Sequence, residues 1–267
     1  MPVLFVITML FCFISSLFIR NTRLIGFLAM MVLAYLAGDA DPLTTIDYSV
    51  YLMHYNLLGF ETSPFEKGYT VLSQFFFYHG LNYAQFRLFF AFLAFVIMFI
   101  GVSLFTKKVA LFAGLYGLTV FFNDATQIRN LMMIAITILG AGLLAKKNRI
   151  PKIFGVFALL IASQFHDLGF VFLLVIVPLS LIKLDTLIRY YKYFVFFLYG
   201  VAAFFMVNSD GIVINFFASF LSKFSSRDNS ADNVLTSFGR GSSHSTIIFV
   251  WILLLLFSPD LKLKCNT

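Results

Sequence analysis

Arg129 stands at the head of a long apolar run, in the segment Asn123-Asp124-Ala125-Thr126-Gln127-Ile128-Arg129-Asn130. The free N–H groups and dipole of a helix N-terminus favour an anion. An arginine there adds a permanent charge and a planar fork that fits phosphate. Gln127 and Asn130 flank it as candidate substrate-binding residues. The plainer alternative is an arginine whose head snorkels to a membrane surface. A second cationic group is His166, in Gln164-Phe165-His166-Asp167. It falls near a predicted helix C-terminus, where an imidazolium is favoured, and could donate to a phosphate or a leaving oxygen. Asp167 is a candidate substrate contact or simply the cap of the next helix. Arg240 and His244 form a further, weaker cationic pair.

Proton acceptors come from three places. Phe65-Glu66-Lys67-Gly68-Tyr69 offers Glu66 as a general base, or a turn with a surface ion pair of little worth. Asp47, Tyr51 and Tyr55 are spaced i, i+4, i+8 and share one face of a helix. A carboxylate beside aromatic rings suits a sugar: the rings stack on its C–H face and the carboxylate accepts from its hydroxyls. Tyr48, Tyr51 and Tyr69 are the candidate substrate-binding tyrosines, unless they anchor an interfacial helix at headgroup level. Asp39 and Asp41 could hold a divalent metal or bind substrate. A lone pair of carboxylates two residues apart also fits a solvated loop edge, so no metal is assigned.

These residues lie in an unusual background. Of 267 residues, 61% are hydrophobic, 12% are charged and 37 are Phe, against about 25% charged in a soluble domain. A spanning helix needs roughly 20 mostly apolar residues, and runs near that length recur along the chain. The runs are continuous rather than alternating, which argues for helices and against a barrel. Nine spans are predicted, near 2–19, 22–38, 86–105, 108–123, 130–145, 151–165, 168–184, 193–207 and 246–259. The chain is thus expected to form one all-α polytopic membrane bundle, with long outer loops at 39–85 and 208–245. The apolar stretches Tyr69–Tyr78 and Ile212–Leu221 are too short to span and read as interfacial or re-entrant.

Alternate connections hold 13 of the 19 Lys and Arg residues: Arg20, Arg23, Lys107, Lys108, Lys146, Lys147, Arg149, Lys152, Lys183, Arg189, Lys192, Lys262 and Lys264. The other face carries ten of the 12 acidic residues. The first set is therefore expected in the cytoplasm, with the N-terminus outside and the C-terminus inside. Residues 151–184 read as a tight hairpin with His166 and Asp167 at its outer tip; a single helix interrupted at Gln164–Gly169 would break the asymmetry. The net charge of +7 follows from this pattern, and no nucleic-acid partner is expected. The first run lacks a basic leader and a small-residue cleavage site and reads as a retained span. Cys12 and Cys265 fall at different depths, so no disulfide is expected. No phosphate-binding P-loop, G-x-S-x-G, H-E-x-x-H or paired C-x-x-C occurs, which leaves ATP hydrolysis, serine hydrolysis and zinc chemistry without support.

In their order, Asp47-Tyr48…Tyr51, Glu66-Lys67-Gly68-Tyr69-Thr70-Val71-Leu72, Gln127-Ile128-Arg129-Asn130…Ala135, the Lys146-Lys147 inner loop and Phe165-His166-Asp167 resemble the EpsG family of exopolysaccharide polymerases, relatives of the Wzy-type O-antigen polymerases. The resemblance runs from about residue 35 to 185. Lys67, Asn130 and Asp167 stand where the family pattern leads one to expect Pro, Gln and a small residue. The resemblance implies a bundle like the C-type glycosyltransferases, in the cytoplasmic membrane of a bacterium. It also implies transfer of glycan repeat units from a polyprenyl diphosphate to a lipid-linked sugar acceptor on the outer face. Membrane lipids, a flippase and a chain-length regulator are the partners it implies; no cofactor is needed, because the sugar diphosphate supplies the energy. Arg129, assisted by His166 and Arg240, would stabilise the leaving diphosphate, and Glu66 or Asp47 would take the acceptor proton. A transporter or flippase, a membrane acyltransferase and a non-catalytic scaffold are the rival readings. The first should carry charge at mid-bilayer, and the second needs a route for a cytoplasmic acyl donor.

Overall fold

The computed structural model describes residues 2–45 and 47–182, with positions 186, 189, 190, 193, 219, 220, 222 and 223 beyond. The chain divides into two compact units, Met1–Ser180 and Leu181–Thr267, and the architecture below is that of the first. The expected spans at 193–207 and 246–259, the 208–245 loop, Arg240 and His244 lie outside the described residues.

Among the described residues every regular element is helical, apart from an isolated bridge between Leu58 and Glu61. In order they are α1 (Pro2–Phe18), α2 (Arg23–Gly38), α3 (Tyr48–Asn56), α4 (Lys67–Tyr78), α5 (Tyr83–Phe105), α6 (Val109–Thr119), α7 (Phe121–Thr126), α8 (Ile128–Leu144), α9 (Arg149–Ala162) and α10 (Leu168–Leu181). The central helix is α5, packed between α2 and α8; α9 lies against α8, and α1 and α6 close the other side against α2. The close packing of α8 and α9 depends on two small residues. A Cβ on Gly155 would stand 2.8 Å from the Gly140 carbonyl oxygen, and a Cβ on Gly140 would stand 3.0 Å from that of Gly155. Small residues that let backbones approach are how helices associate where lipid removes the hydrophobic drive.

Helix length identifies fewer spans than the apolar runs do. Of the described helices, α5 with 23 residues is long and apolar enough to cross a bilayer; α1, α2, α6, α8 and α10 are apolar but shorter. The predicted 108–123 span is interrupted: α6 stops at Thr119 and α7 starts at Phe121. The break has a physical reason. In one straight helix residues 116 and 124 would be about 12 Å apart along the axis, yet the Tyr116 hydroxyl donates to Asp124 Oδ2 at 2.8 Å. The start of α5 also shifts, from 86 to Tyr83, because Asn82 and Gln85 form a reciprocal capping box. The two stretches inside the 39–85 loop are helical, as α3 and α4.

The outer surface is apolar where a water-soluble bundle would be polar. Val3, Ile7, Leu10, Ile14 and Leu17 run exposed along α1, and Ile150, Ile153, Phe154 and Phe157 along α9. Contiguous exposed patches of this kind mark a binding or membrane surface.

The two ends of the bundle differ in chemistry. At one end basic side chains hold helix C-termini: Arg23 Nη2 donates to Ser103 O at 2.9 Å, Lys146 Nζ to Leu104 O at 3.3 Å and Lys108 Nζ to Ser16 O at 3.2 Å. Cations there complement the helix dipoles. Residues assigned to one side of the membrane by charge asymmetry thus meet at one end. Between α9 and α10 the chain turns sharply: a Cβ on Gly169 would lie 2.7 Å from the Ala162 carbonyl carbon. One long interrupted helix over 151–184 is therefore not formed.

Candidate active site

At the opposite end, α8 presents Arg129 from its first turn. The guanidinium Nε donates to the Tyr51 hydroxyl at 3.1 Å, and Nη1 donates to Glu66 Oε2 in an ion pair. The same group lies over the Phe65 ring, 4.3 Å from its centroid, and over the Tyr51 ring at 5.5 Å. Glu66 is the N-cap residue of α4, with extended backbone, but its carboxylate does not cap the helix; it turns inward to Arg129. The pair is asymmetric. Glu66 retains 1% of its side-chain surface and Arg129 10%, so both are buried and Glu66 is the deeper. The two bonds occupy two of its five N–H donors.

Aromatic packing holds this pair in place. Tyr51 and Tyr69 both pack on Phe65, and Tyr69 also meets Phe86 and Phe90 of α5 edge-on. Tyr51 is buried, which raises its pKa, and the neighbouring Arg129 partly offsets that rise. Two buried polar atoms find no hydrogen-bond partner here among the described residues: Glu66 Oε1 and the Tyr69 hydroxyl. Buried polar atoms are nearly always paired, so this unspent capacity sets the site apart from ordinary core.

Gly68 brings the next motif in. Its N–H donates to Gln164 O at 2.8 Å, and a Cβ would lie 2.7 Å from that oxygen. The N-terminus of α4 therefore abuts the end of α9, and the segments carrying Glu66 and His166 adjoin. Gly68→Ala is expected to force the two apart at a cost of about 1–3 kcal/mol. The check is a lower melting temperature in detergent than for the parent, and an unchanged melt would remove the close approach from the argument.

Arg87 received no role from the sequence beyond its charge, yet it is fully buried. Its Nε donates to Ala37 O at the end of α2 at 3.1 Å, Nη1 to the Tyr83 hydroxyl at 3.2 Å and Nη2 to Ala125 O of α7. It also lies over the Tyr48 ring, 5.3 Å from the centroid. No acidic side chain pairs with it among the described residues. The available signal was an arginine inside an apolar run, one helical turn after a tyrosine; charged residues in such runs are rarely idle.

A second polar knot joins Asp124, Tyr116 and Asn130. Asn130 Nδ2 donates to Asp124 Oδ1 at 2.9 Å, opposite the bond from Tyr116. Burial pushes the Asp124 carboxyl above its ordinary range, and the Tyr116 and Asn130 hydrogen bonds pull it back in part. Asn130 is thus turned to Asp124 rather than to the Glu66 pair.

The other expected residues are spread around this centre. Tyr48 packs edge-on against Tyr83. Asp47 precedes α3, half-buried, close enough to Tyr51 for its charge to act on that hydroxyl. Asp39 caps α2 and is held by Tyr35, and Asp41 accepts from the Leu43 N–H at 3.0 Å. These two carboxylates serve their own loop, and no group of three or more metal-ligating side chains occurs among the described residues. Gln127 is the hinge residue between α7 and α8. His166 Nδ1 accepts from the Leu168 N–H at 3.2 Å, and the Asp167 carbonyl accepts from Phe170 N at 3.0 Å, so both shape the turn into α10.

A helical bundle with an apolar exterior and an arginine–carboxylate pair sunk in one end defines the class. The EpsG family model matches residues 23–265, and the chain belongs to that family. The match extends on both sides of the 35–185 stretch that carried the resemblance. No curated protein and no solved structure is similar to it. Membership in the family points to a membrane protein with an exopolysaccharide polymerase-type role.

Proposed function

We propose that the protein is a glycosyltransferase that polymerises glycan repeat units at the outer face of a bacterial cytoplasmic membrane. The donor is a glycan on a polyprenyl diphosphate, and the acceptor is a sugar hydroxyl of another lipid-linked unit. The observation that carries this reading is the buried Arg129–Glu66 pair at one end of the bundle, with one carboxylate oxygen of Glu66 left without a partner among the described residues. In this mechanism the acceptor oxygen bonds to the anomeric carbon and the bond to the diphosphate oxygen breaks. The diphosphate leaves with the electron pair and Arg129 stabilises its charge. Direct displacement inverts the anomeric centre.

Glu66 Oε2 orients the guanidinium, while its Oε1 has no hydrogen-bond partner among the described residues. Glu66 through that oxygen, or Asp47, which carries no ion pair among the described residues, is the carboxylate that takes the acceptor proton in this scheme. Tyr48, Tyr51 and Tyr69 are substrate-binding residues of this proposal through their hydroxyls, since their rings are packed in the core. His166, Gln127, Asn130, Asp167, Arg240, Asp39 and Asp41 are further substrate contacts of this proposal. A flippase and a chain-length regulator are the partners such a polymerase works beside. A transporter would place its charges at mid-bilayer; the polar groups here gather at one end of the bundle.

Topologically, nine spans with the N-terminus outside and the C-terminus inside put this end of the bundle outside the cell. Cysteines introduced at Thr62 and Thr126 are expected to react with an impermeant thiol reagent in intact cells, and one at Lys147 is not. Labelling at Lys147 would reverse the orientation. The function is tested in a deletion strain complemented with Arg129→Ala, Glu66→Ala or His166→Ala at equal expression. Surface glycan should shrink to single repeat units while lipid-linked repeats accumulate. Normal chain length in all three would reject the assigned site.

A further inference from the structure

Three connections meet at the end of the bundle away from Arg129. The α1–α2 and α5–α6 loops are joined where Thr22 N donates to Lys107 O at 2.9 Å and the Thr22 hydroxyl accepts from Ala110 N at 3.2 Å. Arg23, from the α1–α2 side, and Lys146, from the α8–α9 side, both close on the last turn of α5. Arg23 Nη2 donates to Ser103 O at 2.9 Å and Lys146 Nζ to Leu104 O at 3.3 Å. Successive carbonyl oxygens of a helix stand about 3.5 Å apart, so the two cationic nitrogens lie within about 10 Å of each other. Each spends one N–H on its carbonyl, of the five that a guanidinium and the three that an ammonium carry. Neither makes an ion pair among the described residues.

The surroundings add positive charge and hydrocarbon. Arg20, Lys107, Lys147 and Arg149 stand exposed in the same three connections or at their edges. No Asp or Glu occurs in residues 1–38, 83–123 or 125–166, so α1, α2, α5, α6, α8 and α9 bring no acidic side chain here. The α5 C-terminus carries about half a negative charge, against the two full positive charges seated on it, so the spot stays cationic. Phe18, Leu24, Phe105 and Ile150 are exposed. Leu24 and Ile150 directly follow Arg23 and Arg149, and Phe105 directly follows Leu104.

We propose that this end of the bundle binds the headgroup of an anionic phospholipid, with its phosphate between Arg23 and Lys146. A phosphate accepting at about 2.8 Å from each nitrogen fits a separation of this order. Charge complementarity calls for an anion, and basic groups between helices at a membrane surface are suited to acidic lipid heads. The apolar fringe selects a lipid over an acidic protein segment, because acyl chains cover Leu24, Phe105 and Ile150 while the head meets the cations. A bound headgroup ties the three connections together and so stabilises the fold. The inference rests on the membrane character of the chain and not on the polymerase reading.

The test titrates full-length protein in an uncharged detergent with diphosphatidylglycerol, phosphatidylglycerol, phosphatidylethanolamine, inorganic phosphate or polyglutamate. Bound lipid is counted by native mass spectrometry and stability is read from the thermal melt. The two anionic lipids should bind and raise the melting temperature, and the other three should not. Lys147→Gln with Arg149→Gln, which removes no printed backbone contact, should melt like the parent without lipid. It should bind phosphatidylglycerol about thirtyfold more weakly, the loss that two basic residues near an acidic lipid surface represent. Arg23→Gln with Lys146→Gln should lose more binding still, and Lys67→Gln, at the N-terminus of α4, should lose none. Equal binding of phosphatidylethanolamine, an equal shift from inorganic phosphate or polyglutamate, or undiminished binding by the Lys147, Arg149 double variant would each overturn the proposal.

Discussion

Glu66→Ala and Arg129→Ala should each destabilise the detergent-solubilised protein by about 3 kcal/mol, while the double variant Glu66→Leu, Arg129→Met recovers most of that loss. Removing either partner leaves the other charge enclosed without compensation, and Glu66, the deeper of the two, has no other cation bonded to it among the described residues. Replacing both removes the desolvation cost along with the attraction, and Tyr51 and Phe65 already supply apolar surface for the new side chains to pack on. The double variant is the informative one. It should melt close to the parent and yet make no polymer, which separates a structural role for the pair from a chemical one. A double variant as unstable as the worse single, or one that still polymerises, would contradict the assignment.

Arg87→Met should cost about 3 kcal/mol or more, since one unsatisfied buried acceptor is worth about 1–3 kcal/mol and the substitution strands two carbonyls. The carbonyls are Ala37 O and Ala125 O, at the ends of α2 and α7, and Tyr83 loses its partner as well. Arg87→Lys should rescue less than half of the loss, because a compact ammonium cannot span three acceptors set out for a planar fork. The measurement is a thermal melt in detergent with parent, Met and Lys variants side by side. The consequence for function is positional: Ala125 lies in the helix before Gln127 and Arg129, so loosening it should lower polymer yield in step with stability. A Met variant that melts like the parent would show that the carbonyls find other donors.

Much of this architecture was legible beforehand. The helical boundaries at α1, α2, α8 and α9 follow the apolar runs closely, because a continuous apolar run satisfies its own backbone away from water as a helix. The Asp47–Tyr55 segment was read as a helix from its spacing, and α3 buries Tyr48, Tyr51 and Tyr55. The turn at Gln164–Asp167 followed from the alternation of basic loops. The interruption at Val120 was not legible, since nothing in an apolar run announces that Asp124 will fold back to Tyr116. Arg87 escaped notice for a related reason: its partners are two backbone carbonyls on other helices, and carbonyls leave no mark in a sequence.

The amino-acid sequence by itself determined the class, an apolar helical chain with its basic residues gathered on alternate connections, because composition and charge order depend on no contact between distant residues. It also supplied the residues of the candidate site as separate short motifs. Only the tertiary structure decided that Glu66 and Arg129, 63 positions apart, would bond to each other, that Asn130 would turn instead to Asp124, and that Asp39 and Asp41 would serve their own loop. Those choices are made by packing: Phe65 and Tyr51 enclose the guanidinium, and Gly68 lets α4 approach α9 closely enough to carry Glu66 into place.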